Sequence, residues 1–230
     1  MSVEKELGWE IGIDIGGTFT DIVLRSSSEV LSTKVLTSSE APVVPVISGI
    51  KKLAGDIGIS LNDINRVVHG TTLATNAIIE KKGVKTAFIT TEGFRDVIEM
   101  RTESRFDQYD LNIQMPPPLI TRDNRFTISE RLSATGEKLI NLNKAEVHKL
   151  ISILEKEKFE SIAIGFLHAH VNPIHELTTK KLIRKALPTI PISISSEVSP
   201  EIREYERFTT TCVNAYIQPV ISPYLGILEK

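Results

Sequence analysis

One cysteine, Cys212, and one tryptophan stand in 230 residues. A single thiol excludes an internal disulfide and any cysteine-rich zinc site, and it suits a reducing compartment. A surplus of charge is also missing: 27 basic against 29 acidic side chains leave a formal charge of −2. Without a basic excess, nothing points to nucleic acid or an anionic membrane surface as a partner. No apolar run approaches the roughly 20 residues that span a bilayer. Residues 1–10 carry Glu4, Lys5, Glu6 and Glu10 and hold no signal-peptide core. The cytoplasm is therefore the default expectation. What is present is ordinary for a globular protein, 41% hydrophobic and 24% charged, with length for one large domain or two small ones.

Strand and helix signals alternate along the chain. Residues 11–16, 20–25 and Glu29 to Leu36 read as three strands, joined so tightly that neighbours should run antiparallel. A helix follows from Val43 to Ile57, with Pro42 and Pro45 near its start. Val67-Val68-His69 ends the next strand, and Gly70-Thr71-Thr72 leads into a helix to about Lys81, where Gly83 should stop it. Lys85 to Thr90 is strand-like, and Thr91-Glu92-Gly93 opens a short helical stretch. From Arg101 to Glu137 the chain is polar, with Pro116-Pro117-Pro118 extended and a strand over Phe126 to Glu130. Asn143 and Glu146 have the spacing of a capping box for a helix through Phe159. Ser161 to Phe166 is a buried strand, Asn172-Pro173 starts a helix to about Ala186, Ile192 to Ser195 is a strand, and Ser199-Pro200 starts a helix through Tyr216. This alternation predicts an α/β fold with a partly parallel sheet.

The chemistry concentrates in Ile-Gly-Ile-Asp-Ile-Gly-Gly-Thr-Phe-Thr-Asp-Ile-Val-Leu, residues 11–24. An acid inside an apolar strand needs a partner, so Asp14 asks for one. Gly16 and Gly17 let the backbone bend sharply and a ligand approach its amides. Thr18 and Thr20 add hydroxyls, and such a turn cradles phosphate. Asp14 and Asp21 then stand where a carboxylate holds a hydrated magnesium ion on those phosphates. A P-loop would need a lysine and a helix after its glycines, and a dinucleotide fold a helix; here Phe19 to Leu24 returns as a strand. The plainer reading is a hairpin with a capped polar turn and no ligand. Further on, His69-Gly70-Thr71-Thr72 at a helix start suits a substrate carboxylate or phosphate, and equally a simple N-cap by Thr71 or Thr72. His69 has an unperturbed pKa suited to general-base work, and Asn76 follows one turn later.

The strand–Gly-Gly–strand arrangement resembles the first phosphate loop of the actin, sugar-kinase and heat-shock-chaperone superfamily. More narrowly, Asp14-Ile-Gly-Gly-Thr-Phe-Thr-Asp21, Val68-His-Gly-Thr-Thr-Leu-Ala-Thr-Asn-Ala77 and Thr90-Thr-Glu-Gly-Phe-Arg-Asp-Val97 are similar to the hydantoinase A/5-oxoprolinase family. So are Glu201-Ile-Arg-Glu-Tyr-Glu-Arg207 and Val213-Asn-Ala-Tyr-Ile-Gln-Pro-Val220. The resemblance implies a ribonuclease-H-like (actin/sugar-kinase-like) lobe with a mixed sheet plus a further α/β portion. It implies an N-terminal domain over 9–212, with 213–230 as the start of a truncated second domain. It also implies an ATP-dependent amidohydrolase that opens 5-oxoproline, hydantoin or a similar cyclic amide through a phosphorylated intermediate. Asp14 and His69 would serve catalysis, Asp14 also seating Mg2+ or another divalent metal. Gly16, Gly17, Thr18, Thr20 and Asp21 would hold ATP, and Thr71, Thr72 and Asn76 would line the substrate side. The superfamily's second phosphate loop, acid-x-Gly after a strand, is missing, since Asp56-Ile57-Gly58 lies at a helix end. A C-terminal domain or companion subunit is therefore the expected partner. The alternatives are a subunit of an acetone/acetophenone-type carboxylase and a non-catalytic nucleotide-binding module.

Other polar groups favour plainer readings. Arg95, Asp96, Arg101 and Arg105 border the polar segment, where an arginine could hold a substrate carboxylate but a solvated face is commoner. Arg203 with Glu206, and Glu204 with Arg207, have the spacing of helix-surface ion pairs. His168, His170 and His175 lack the cysteines or carboxylates of a metal site, and Cys212 reads as a buried, inert thiol.

Overall fold

The computed structural model describes residues 8–38, 43–102, 109–110, 112–113 and 115–228. Pro42 and Arg105, singled out above, lie outside these, as do residues 1–7. The chain forms two compact units, Met1–Lys82 with Ile221–Lys230, and Gly83–Val220.

In the first unit, β1 (Trp9–Ile15), β2 (Phe19–Arg25) and β3 (Val30–Leu36) make an antiparallel meander. Helix α1 (Val43–Ile57) then crosses to β4 (Ile64–Thr71), which pairs parallel to β1, giving a mixed sheet of order β3-β2-β1-β4. Helix α2 (Leu73–Ile79) follows. Alternation decides the faces. Ile11, Ile13 and Ile15 of β1 and Ile22 and Leu24 of β2 pack with Val43, Val46 and Leu53 of α1 in one buried cluster. Gly12 and Asp14 point the other way, and Asp14 is exposed. The expectation that Asp14 needs a partner because it is buried is thus corrected: the two-residue period carries its carboxylate to the open face.

The second unit holds β5 (Thr86–Thr91), α3 (Val97–Met100), β6 (Arg125–Ile128), the short pair β7 (Arg131–Leu132) and β8 (Lys138–Ile140), and α4 (Lys144–Lys156). It continues through β9 (Ser161–Gly165), α5 (Ile174–Ala186), β10 (Ile192–Ile194), α6 (Ser195–Val198) and α7 (Glu204–Leu228), whose last turns belong to the first unit. The sheet β10-β9-β5-β6 is parallel throughout. Every residue of β5 and β9 is buried, as expected for parallel strands covered on both faces. One face packs Ile89, Ile162 and Ile164 against Val147, Leu150 and Leu154 of α4. The other packs Phe88 and Ala163 against Ile98, Phe208 and Cys212. A Cβ added at Gly165 would lie 2.5 Å from the ring of the fully buried Phe208. Gly165→Ala is therefore expected to destabilise the protein by about 1–3 kcal/mol, read as a lower urea midpoint with an unchanged slope.

The fold class read from the sequence holds, and α1 has the predicted bounds. Several boundaries moved. Strand β4 runs two residues past His69, and α2 ends at Ile79, with Lys81 rather than Gly83 taking positive φ (54°). The capping box of α4 is half formed. The Asn143 side chain accepts from the Glu146 amide (3.2 Å), but the Glu146 carboxylate takes the Asn143 side-chain amide and the Ser129 backbone amide (2.8 Å each). The last helix neither starts at Ser199 nor stops at Tyr216. Ser199 is pushed out of the helical region (φ −151°, ψ 77°) by the proline after it. Helix α7 then continues past Pro219 and Pro223, a disruption that burial of Tyr224 in the first unit's core helps to offset. Among the described residues no helix is long and apolar enough to cross a membrane.

Candidate functional site

The candidate site is the bend between β1 and β2. The Gly16 amide donates to the Phe19 carbonyl (3.0 Å), closing a tight turn. A Cβ on Gly16 would lie 2.9 Å from that carbonyl oxygen, so the turn has no room for a side chain there. Gly17 and Thr18 are exposed at the tip, and among the described residues their amides donate to nothing. The turn is braced from behind. Thr37, just after β3, donates its hydroxyl to the Gly16 carbonyl (3.0 Å) and its amide to the Thr18 carbonyl (2.9 Å), and its hydroxyl meets that of Thr20 at 2.9 Å. Thr20 is fully buried and lies on the core side of β2, so it holds Thr37 instead of facing the open side. Sequence reasoning missed Thr37. The signal was the hairpin register, which pairs Phe19 with Leu36 and so sets Thr37 beside Thr18.

Asp14 opposes Asp21 in register and shares the open face. Asp21 forms an exposed ion pair with Lys34 (3.0 Å), whereas Asp14 has no hydrogen-bond or ion-pair partner among the described residues. The start of α2 lies beside the turn: the Thr72 amide donates to the Ile15 carbonyl (3.1 Å), and the Asn76 side-chain amide would be 3.3 Å from a Cβ on Gly17. The hydroxyls of Thr71 and Thr72 are turned toward the Ile15 carbonyl (3.5 and 3.3 Å), and Thr71 also caps the Leu73 amide (3.1 Å). The capping reading thus accounts for Thr71, while Thr72, at the N-cap position of this seven-residue helix, makes no side-chain cap and instead accepts from the Asn76 side-chain amide (3.3 Å). Asn76 alone adds a donor to the turn.

His69 stands apart from this group. It pairs in register with Ile13, on the core side of the sheet, and its Nε2 hydrogen-bonds the hydroxyl of Tyr224. Asp14 pairs with Gly70 and faces the opposite side. Burial pushes the His69 imidazole below its ordinary value of 6.5 and the Tyr224 phenol up to about 12. In the unfolded chain His69 takes its proton as pH falls through about 6.5, before the folded form does. Its share of stability is therefore complete above pH ~6.5 and declines as pH falls toward the lower folded value. The difference in melting temperature between the native chain and His69→Gln is expected to be flat above neutrality and to narrow as pH falls below about 6.5.

A metal ion fits here only in a limited way. Among the described residues no three His, Cys, Asp or Glu side chains come together to hold one. A single open carboxylate beside two open amides suits a divalent ion held chiefly by phosphate and water, as magnesium is.

In the second unit the charges near the polar segment are mostly paired. Asp96 accepts two hydrogen bonds from Arg122 (3.0 and 3.1 Å), which hold its carboxyl below the usual range, and the buried Arg125 meets Glu99 at 2.7 Å. The helix-surface reading of residues 203–207 holds only in part: Glu204 and Arg207 do pair at 3.7 Å, but not on an exposed face. Arg203 precedes α7 with φ 77°, and Arg207 is fully buried, because the helix starts late and turns it inward. Arg207 donates to the hydroxyl of Ser195 (3.1 Å) and to the carbonyls of Phe166 (3.0 Å) and Glu201 (2.8 Å). His175 is buried against Glu130 (2.7 Å), and burial pushes the Cys212 thiol up, in line with an inert group.

The description hydantoinase/oxoprolinase N-terminal region matches residues 10–187. The chain is 33% identical to the caprolactamase subunit alpha of Pseudomonas jessenii over 96% of its own length and 33% of that subunit. It is 29% identical to the 5-oxoprolinase of Saccharomyces cerevisiae over 95% of its length and 20% of that enzyme. The crystal structure of the ATP-dependent caprolactamase superposes with a TM-score of 0.86 at 32% identity, covering 96% of this chain and 33% of the other. A nucleotide-free acetone carboxylase gives the same TM-score at 22% identity, over 95% of this chain and 33% of the other, which is a likeness of fold. The chain thus spans a third or less of the proteins it resembles, and it belongs to the hydantoinase/oxoprolinase family, whose N-terminal region it carries.

Proposed function

We propose that the bend at Gly16, Gly17 and Thr18 binds the phosphates of ATP and that the chain is the N-terminal part of an ATP-dependent ring-opening amidohydrolase. The observation that carries this reading is the open turn itself: the Gly17 and Thr18 amides and the Asp14 carboxylate belong to exposed residues and have no partner among the described residues. Asp14 would seat Mg2+ through its water shell, and Asn76 would donate at the turn. Asp21 would act at the rim through Lys34, while Thr20 positions the bend by way of Thr37. His69 fits the role of a positioning residue that holds Tyr224. ATP would supply the phosphoryl group that makes an amide oxygen a leaving group. The names of the relatives favour a cyclic amide, such as a lactam or 5-oxoproline, as the substrate. A site with this one wall would bind ATP weakly, because a metal–triphosphate needs donors on several sides. A C-terminal domain, or a companion subunit in the same cytoplasmic setting, would supply the rest. In that organisation 9–212 form the N-terminal domain and 213–230 lead into the next.

Calorimetry on the chain completed with its downstream partner tests the phosphate site, and magnesium-dependent ATP uptake is the expected result. Steady-state ATP hydrolysis should rise with caprolactam, 5-oxoproline or hydantoin. A rise only with acetone and bicarbonate would assign a carboxylase, and no ATP uptake would leave a binding-inert module.

A further inference from the structure

Within the second unit, a cavity of about 200 Å3 opens between α3, the start of α7 and the proline-rich segment. Ile98, Pro117, Pro118, Leu119 and Ile120 form its apolar wall, with Cys212 among its lining residues. Three polar side chains also line it: Arg101, Tyr205 and Thr209. The Thr209 hydroxyl is buried and has no hydrogen-bond partner among the described residues. Buried hydroxyls without partners are rare and costly, so this one marks a place where an acceptor belongs. Arg101 caps α3 with φ 58° and ψ −134°, a backbone region that only glycine enters without strain. That conformation lets its guanidinium donate to the Pro116 carbonyl at the edge of the proline wall. A non-glycine residue held in such a conformation favours a functional over a decorative role.

We propose that this cavity binds a small monocarboxylate with a compact apolar body. Size sets the body: about 150 Å3 of apolar cavity takes up a six-carbon ring, so the volume here holds such a ring and a head group. Charge sets the head. Arg101 offers the planar donor fork that suits a carboxylate, and rotation of the Thr209 side chain, whose hydroxyl is closed to water here, would turn a further donor into the cavity. The site lies wholly within the second unit and does not depend on the phosphate-turn reading.

Cyclohexanecarboxylate is the probe, with cyclohexylmethanol as its uncharged counterpart, titrated into the isotope-labelled 230-residue chain and followed by NMR. Saturable shifts at Tyr205 and Thr209 are expected, with the alcohol roughly tenfold weaker or more. Arg101→Gly, which relieves the strained backbone and so should stay folded, is expected to weaken the carboxylate about tenfold. Thr209→Val, nearly isosteric, should weaken it about threefold to tenfold. Equal affinity for the alcohol, indifference to Arg101→Gly, shifts confined to another part of the chain, or no saturation would each overturn the proposal.

Discussion

On the proposed function, Asp14→Asn in the chain completed with its downstream partner is expected to lower ATP hydrolysis by about 10²–10³-fold while leaving the melting temperature nearly unchanged. The rate loss is the scale seen when one preorganised electrostatic group is removed from a site where charge develops. The unchanged stability follows from the fold: Asp14 is exposed, and it has no partner among the described residues to lose. Most surface substitutions of that kind stay within about 0.5 kcal/mol. Asp21→Asn is the internal comparison. Asp21 already spends its charge on Lys34 in an exposed pair, worth about 1 kcal/mol at most, so its rate loss should be far smaller. Equal rates for Asp14→Asn and the native enzyme at saturating magnesium would remove Asp14 from the site.

Arg207→Met is expected to destabilise the second unit by about 3–5 kcal/mol, the scale for removing one partner from a buried charged network. The carboxylate of Glu176, fully buried, accepts from the Phe166 amide (2.9 Å), the Ser195 hydroxyl (2.6 Å), and the Ser196 amide (2.9 Å) and hydroxyl (2.7 Å). Burial raises its carboxyl pKa against the pull of those four donors. Arg207 closes the circuit through Ser195 and the Phe166 carbonyl, so that the ends of β9 and β10 are tied through one carboxylate and one guanidinium. Methionine fills much of the volume but leaves two carbonyls without donors. Far-UV circular dichroism in urea measures the loss. The double variant with Glu176→Gln should cost less than the sum of the two single changes, because they share one network. A loss under 1 kcal/mol would restore the surface-pair reading.

These two residues show what a sequence can and cannot disclose. The Gly-Gly bend was legible, because an apolar strand, two glycines and a returning strand form a local pattern whose chemistry is contained in a few residues. Helix α1 and the strands β5 and β9 were legible for the same reason: periodicity and turn residues act over short spans. The ends of α2 and α7 were not. Lys81 closes α2, and the run of α7 past Pro219 goes with burial of a tyrosine that belongs to the other unit's core. Local propensity carries no record of that distant burial.

The sequence by itself determined the α/β class, the order of the elements and the turn with its open amides, since all of these follow from neighbouring residues. Only the tertiary structure decided which way each side chain faces. Strand register sends Asp14 outward, while His69 lies on the core side against Tyr224, 155 positions away. The late start of α7 buries Arg207 where its spacing alone suggested an exposed pair. The physical reason is that facing and burial depend on contacts between segments far apart in the chain, and a one-residue change of register or helix start reverses them.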